Sequence, residues 1–406
     1  MPYSENIARL QPSATIAVSS LAKRLRAEGR DIVDLSAGEP DFDTPEFIVD
    51  AAIDGLRRGR TRYTPAPGLP ELRRAIAESL AEWSGRDVDW EGVVVSAGAK
   101  QSLFNACFSL FGPGDEVLIV APYWTSYPQI VALTRAEPVF VAGDVANGFK
   151  ADPDRLEAAR TPRTRGLILC SPCNPTGAVY SRDELDAVAR WAERHGVCVV
   201  ADEIYRSIYY GAEGGRAPSI LDLDEDALSR WVLIDGASKA FAMTGWRIGF
   251  SYTATDLARK ISALQSHTTS NAATPSQVAA LAAFAGGART AEAVAGMVDA
   301  FRRRRNAVTG WMRERLPGVD FVEPGGAFYL FFRVDGFFDA ERPDSSAFCS
   351  WLIETAGVAT VPGVAFGDDR YARMSFAAAD ETLDRGIERM AEAVRSLSAA
   401  SGAPTS

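Results

Sequence analysis

Histidine is almost missing from this chain, with 2 in 406 residues. A mechanism built on imidazole acid–base chemistry, or a metal site built on clustered histidines, is therefore not expected. His195 follows an amphipathic helical pattern and reads as a surface residue. Cysteine is scarce too: 5 residues, an odd number, fit reduced thiols in a cytosol better than a disulfide framework. Cys170 and Cys173 form a C-x-x-C pair, but no second pair stands at zinc spacing. Long apolar runs are also lacking. Val93–Val95 and Val117–Val120 are strand-length, far below the roughly 18 residues of a membrane helix. The start, Met1–Glu5, lacks the basic and apolar regions of a secretory signal. Positive charge is in deficit: 43 Lys and Arg face 53 Asp and Glu, a formal net charge of −10. No general affinity for nucleic acid is expected from such a balance; the short apolar runs leave no membrane partner expected, and the reduced thiols a cytoplasmic location. The basic tract Arg302–Arg305 lies in a helical pattern and reads as a solvated helix face.

What remains is ordinary globular material, 47% hydrophobic and 24% charged, long enough for a large core and a second, smaller domain. Short β-branched runs alternate with helical patterns through the middle of the chain. Strands are expected at Val93–Val95, Glu116–Val120, Pro138–Val141, Leu167–Cys170, Val197–Ala201, Trp231–Asp235 and Arg247–Ser251. Helices such as Lys100–Phe111, Ser126–Thr134 and Ser181–Arg194 fall between them. That alternation predicts an α/β fold with a mainly parallel sheet, its strands apolar throughout because both faces are covered. Residues 276–314 read as one long helical segment. Beyond them the pattern is α+β, with strands at Asp320–Val322, Ala327–Arg333 and Ala372–Phe376 and helices at Ser346–Ala356 and Asp380–Ser396. A helix at Ile16–Glu28 and a strand at Asp31–Leu35 are assigned to the smaller domain, and the tail Ala399–Ser406 is expected to be loose. The expected division is 1–45 joining the small domain, 46–300 the large domain and 301–406 the small domain.

Several polar residues sit just beyond expected strand ends, where open α/β sheets bind ligands. Lys239 follows Trp231–Asp235 in the small-residue loop Asp235-Gly-Ala-Ser-Lys239. A lysine poorly solvated there has a lowered pKa, as an amine nucleophile requires, although a lone loop lysine is usually just surface. Asp202 closes a buried strand in Val199-Val-Ala-Asp202-Glu-Ile-Tyr205. A carboxylate there is costly without a cationic partner, unless it serves only as a helix cap. Asn174, in Ser171-Pro-Cys-Asn174-Pro-Thr-Gly177, is an amide fixed by prolines and a glycine. Ser96-Ala-Gly-Ala99-Lys100-Gln101 runs from strand to helix and offers N–H groups to a phosphate, but fits neither a Walker loop nor G-x-G-x-x-G. Trp124 also follows a strand and can cover a flat ring. Arg247 opens the last strand of the series. Jointly these ask for a planar, phosphorylated, carbonyl-bearing cofactor.

The sequence resembles the fold-type I aminotransferases that use pyridoxal 5′-phosphate (PLP), and among them the bacterial aspartate (aspartate/prephenate) aminotransferase branch. The resemblance runs from about Ile16 to Arg395. It is carried by Leu35-Ser-Ala-Gly38-Glu-Pro-Asp-Phe42, Arg62-Tyr63-Thr-Pro-Ala-Pro-Gly68, Ser96–Gln101, Asn174–Gly177, Asp202–Tyr205, Ser238-Lys239 with Thr244-Gly-Trp-Arg247, Gln265–Asn271 and Arg373-Met-Ser-Phe-Ala377. It implies a large PLP-binding domain with a seven-stranded sheet and a smaller α+β domain from both chain ends. It implies that Lys239 holds PLP and moves the substrate proton, that Asp202 pairs with the ring nitrogen, that Tyr205 and Asn174 bond the ring oxygen, and that Trp124 stacks on the ring. Ala99, Lys100 and Arg247 would hold the phosphate, with Tyr63 reaching in from a second subunit of a homodimer. Arg373, Gly38 and Asn174 would grip the α-carboxylate, and Lys100 the distal carboxylate of aspartate or glutamate. The implied reaction is ping-pong exchange of an amino group between an L-amino acid and a 2-oxo acid. A PLP oxidase, cyclase or lyase, or an aromatic/prephenate aminotransferase, is the alternative on this scaffold. A regulator with an added DNA-binding domain is not expected, since the resemblance begins so near residue 1. Two positions depart from the pattern: Gly236, where many relatives carry Ser, and Cys173, where they commonly carry Ser or Asn.

Overall fold

A computed structural model describes residues 4–400 apart from 9, 11, 13, 212–214 and 225–229. Twelve strands follow in chain order: β1 Val33–Asp34, β2 Val93–Ser96, β3 Glu116–Ala121, β4 Glu137–Ala142, β5 Thr164–Cys170, β6 Cys198–Asp202, β7 Trp231–Gly236, β8 Gly249–Tyr252, β9 Tyr329–Arg333, β10 Val358–Ala359, β11 Val361–Pro362 and β12 Tyr371–Ser375. Seven of them form the large sheet, in the order β2-β8-β7-β6-β5-β3-β4. Only β8 runs antiparallel to its neighbours. The expected mainly parallel seven-stranded sheet is therefore present.

The alternation of side chains along a strand explains why these runs are apolar at nearly every position. Val93, Val95, Leu167, Leu169, Val199 and Leu233 feed one core cluster. Their neighbours Val94, Ile168, Val200, Val232 and Ile234 feed another. Successive residues point to opposite faces, so a strand covered on both sides needs both sets.

The chain ends meet elsewhere. β1 pairs in parallel with β10, Val33 opposite Val358. A three-stranded antiparallel sheet, β11-β12-β9, lies beside a further core cluster that includes Val33, Phe328, Phe348 and Leu383.

Four expectations change. Residues 276–314 are not one helix but two, Thr274–Phe284 and Ala288–Arg315, bent by 89° at the break. Gly286 and Gly287 fill the break, and Gly287 has φ +54°, which helical residues cannot adopt. Residue 300 lies inside the second of these helices. The expected strand Asp320–Val322 is reduced to one bridge, Phe321 to Phe332. The final helix runs Asp380–Ala400, so Ala399 and Ala400 belong to it, while 401–406 of the expected loose tail lie outside the described residues. The arginine run is not a free face: Arg304 pairs with Asp41 at 2.7 Å, Arg305 with Glu323 at 3.0 Å, and Arg302 donates to the Tyr210 carbonyl. Among the described residues no single helix is long and apolar enough to cross a membrane.

Candidate active site

Strand order reverses direction between β3 and β5: β4 lies outside β3, while β6 and β7 lie outside β5. The carboxyl ends of parallel strands at such a switch point form a crevice. A cavity of about 390 Å³ opens there. Every residue singled out from the sequence lines it except Tyr63.

The acid comes from β6. Asp202 closes the strand and is buried. Its Oδ2 accepts from the Tyr127 hydroxyl at 2.7 Å and its Oδ1 from the Ile204 N–H at 3.2 Å. Burial outweighs both bonds and pushes the carboxyl up to about 6. The amine comes from the turn after β7. Lys239 lies in the short helix Ala237–Ala240 and donates to the Gly38 carbonyl at 2.6 Å. Burial first, then Arg247 and Arg373, pull its ammonium down to about 8, against the opposing charge of Glu39.

At one end the cavity is shaped for an anion. The helix Ala99–Leu110 begins after Gly98, and its first N–H groups have no intrahelical acceptor. Gly98 has φ +88°, and a Cβ there would lie 2.3 Å from Nη2 of Arg247. Only glycine lets the arginine reach this turn. The expected strand start at Arg247 is not borne out: β8 starts at Gly249, and Arg247 sits at φ +57°, outside the extended region. A non-glycine residue held in this conformation marks a place where the surroundings dictate the backbone. Gly236 also has a steric cause. A Cβ there would lie 2.8 Å from both the Gly249 Cα and the Ile248 carbonyl, so a side chain at that position would force the backbone beside it to shift.

At the other end stands Arg373, on β12 and almost fully buried. Nη1 donates to the Asn174 Oδ1 at 2.9 Å and Nη2 to the Ser36 carbonyl at 2.7 Å, while Nε is without a partner among the described residues. This guanidinium has neutral acceptors and no carboxylate, as a site for a small organic acid would. Between the two ends lie Trp124, edge-on to Tyr127 at 5.5 Å, and Tyr205, whose hydroxyl is 2.8 Å from that of Tyr329. The Lys100 ammonium lies 4.8 Å from the centre of the Trp124 ring, held below its ordinary pKa by burial and then by Arg247.

Tyr63 is not part of this cavity; it is 90% exposed. Its loop is anchored from within. Thr274 donates to the Arg62 carbonyl, and buried Gln265 donates to the carbonyls of Ala66 and Val95. Cys170 borders the cavity and Cys173 is buried, and both are free thiols. Among the described residues no group of three His, Cys, Asp or Glu is arranged to hold a metal. His195 ends the helix Arg182–His195 and lies 3.1 Å from Glu157.

Sequence reasoning missed Tyr127, Tyr329 and the cavity-lining Thr15, Ile16 and Ser19 of the helix Ala14–Ala27. Tyr127 lies three residues after Trp124, one helical turn on, which was the available signal. Tyr329 read only as a strand aromatic.

The description "aminotransferase class I and II" matches residues 30–390. The aspartate aminotransferase of Streptomyces avermitilis is 42% identical over 394 residues, 95% of each chain. The aspartate/prephenate aminotransferase of Cereibacter sphaeroides is 42% identical over 394 residues, 95% of this chain and 97% of its own. The solved aspartate aminotransferase of Thermus thermophilus with maleate superposes with a TM-score of 0.91 at 38% identity, covering 97% of this chain and 100% of that one. The chain belongs to the class I and II aminotransferases, enzymes that move an amino group between an amino acid and a 2-oxo acid.

Proposed function

We propose that this chain performs that transfer with PLP, on dicarboxylic amino acids first, as a homodimer in the cytosol. The observation carrying the reading is one cavity that holds a lysine amine lowered to about 8 and a buried carboxylate supplied only with neutral hydrogen-bond donors. The residues present fit the cofactor. Asp202 would hold the ring nitrogen, Tyr205 and Asn174 the ring oxygen, and Trp124 the ring face. The N–H groups of Ala99 and Lys100, with Arg247, would hold the phosphate. When bound, PLP supplies an electron sink that eases removal of a proton from the substrate Cα. Lys239 is the residue that would hold the cofactor, and as a free amine near its pKa at working pH it would take and return that proton. Arg373 seats the α-carboxylate beside Gly38 and Asn174. Lys100, at the start of its helix, is the available cation for a distal carboxylate. Exposed Tyr63 would serve the phosphate of a second copy of the chain, and residues 1–45, 46–300 and 301–406 are the proposed small–large–small division. The apolar Ile16 and Leu103 on the cavity wall support bulkier prephenate-type side chains as a second reading.

The test is a set of half-reactions on the PLP-loaded protein. Aspartate and glutamate should discharge the bound-cofactor band without an added acceptor, oxygen uptake or ammonia release. No response to any amino acid, or release of ammonia, would overturn the reading. Sedimentation that finds an active monomer would remove the role of Tyr63.

A further inference from the structure

Tyr329 is fully buried and takes no part in the reaction as described above. It nevertheless lies against Tyr205, Arg373 and Gly38 at the substrate end. Its hydroxyl lies 2.8 Å from the Tyr205 hydroxyl. Its ring lies 4.4 Å from the Arg373 guanidinium carbon. A Cβ on Gly38 would stand 3.4 Å from its hydroxyl. The sheet register explains the arginine contact. Tyr329 pairs with Ser375 and Phe331 with Arg373, so Tyr329 and Arg373 are diagonal neighbours on one face of β9 and β12.

Both phenols are neutral through the physiological range, because burial raises each; Arg373 only partly opposes it, helped at Tyr329 by the bond with Tyr205, in which either hydroxyl can be the donor. The charged or titratable groups facing Tyr329 are Arg373, Tyr205, Cys170 and Glu39. Those facing Tyr205 are Tyr329, Arg373 and Cys170, with the Lys239 ammonium 5.8 Å from its ring. None of the contacts described for Tyr205 gives its hydroxyl a carboxylate acceptor. Within a pair of neutral hydroxyls, one donates and the other is left with its own proton free. If Tyr329 donates, Tyr205 keeps an O–H for an acceptor in the cavity and becomes a stronger donor through the linked bond.

We propose, on the reading given above, that Tyr329 is a positioning residue: its hydroxyl donates to Tyr205 and thereby aims and strengthens the Tyr205 O–H toward the cofactor ring oxygen, while its ring seats Arg373. The substrate-carboxylate arginine and the cofactor-oxygen tyrosine would thus be set by one side chain.

The test is the pH midpoint of the bound-cofactor absorbance in Tyr329→Phe, together with maleate affinity from spectral titration. Phenylalanine keeps the ring and its volume, so maleate affinity should stay within about twofold. Loss of the hydroxyl weakens the hydrogen bond that favours the deprotonated ring oxygen, so the midpoint should rise by about half to one pH unit. Adding Tyr329→Phe to Tyr205→Phe should move the midpoint no further than Tyr205→Phe alone. An unchanged midpoint in the single variant, or full additivity in the pair, overturns the proposal. A fall in melting temperature without a midpoint shift does the same, since packing alone would cause it. If the parent protein forms no visible band with PLP, the proposed function fails instead, and the two failures are distinct.

Discussion

Two buried charge clusters sit side by side at the ends of β6 and β7, and they are completed differently. In one, Arg206 pairs with Asp235 at 2.7 Å, approaches Glu203 at 3.9 Å and lies over the Trp83 ring at 4.2 Å. Glu203 also accepts from Ser219 and the Ile220 N–H, and Asp235 from the Gly236 N–H. Each carboxylate there has a guanidinium. In the other cluster Asp202 has two neutral donors, Arg373 two neutral acceptors and Lys239 one carbonyl. The sequence neighbours Asp202 and Glu203 thus belong to opposite kinds of site. Where the chain supplies every partner, burial is structural. Where opposite charges are kept out of hydrogen-bond contact, the fold has left room for a ligand that carries them.

The largest expected effect separates the clusters by function. Lys239→Ala should lower turnover by on the order of 10⁴-fold or more, because nucleophile and proton carrier vanish together. It should leave stability unchanged or higher, since a desolvated ammonium is removed. Steady-state assays with urea titration check both, and retained activity would point to another lysine.

Arg206→Met should do the reverse. It strands two buried carboxylates and should cost about 3–5 kcal/mol in urea denaturation, less at pH 5 than at pH 8 because both can then protonate. Arg373→Met strands no carboxylate and should cost clearly less stability while removing activity. Equal losses from the two would erase the distinction.

The pH dependence of the cofactor-free protein is smaller. Asp202 sits at about 6 when folded against an ordinary 3.8. Between those values the folded state holds a proton the unfolded state has released. Stability is therefore lost as pH rises from about 4 to 6, by ~3 kcal/mol at most. Glu203, pushed by burial to about 7, adds a loss of the same sign over a slightly higher range. Lys239, at about 8 against 10.5, acts in a separate window: stability is gained as pH rises from about 8 to 10.5. Asp202→Asn should remove part of the acid slope, and loading PLP should flatten it. An acid slope unchanged by both would assign it to Glu203 and Asp235, both raised by burial.

How much of this was legible in the sequence depended on whether a property was local. The β-branched runs fixed the seven strands, because two-sided burial leaves an apolar residue at nearly every position. Asp202, Lys239 and Asn174 could be read from their place just after strands. Tyr127 and Tyr329 could not: an aromatic near a strand looks the same whether its hydroxyl finds a carboxylate or a solvent molecule. The break at Gly286-Gly287 was missed because the apolar pattern continues across it, and Arg247 was drawn into a strand because left-handed φ leaves no trace in an arginine. The buried, paired state of Arg206 was equally hidden.

The smallest effect concerns Lys100, whose side chain lies over Trp124 at the cavity while its backbone opens the helix that faces the anion end. Neither cluster holds this ammonium: the Trp124 ring is its neighbour, and Arg247 repels it. It is therefore the group on which the withheld-partner argument can be tried for the second carboxylate of a substrate. Lys100→Ala keeps the backbone N–H and removes the side chain with its charge. It should lower kcat/KM for aspartate by roughly 1.5–3 kcal/mol, about ten- to two-hundredfold, and hardly alter it for alanine or phenylalanine. Lys100→Arg should recover part of the aspartate rate, limited by the different shape of a guanidinium. An equal fall for acidic and neutral substrates would assign Lys100 to the helix start alone, and Arg373 would then be the sole carboxylate partner in the cavity.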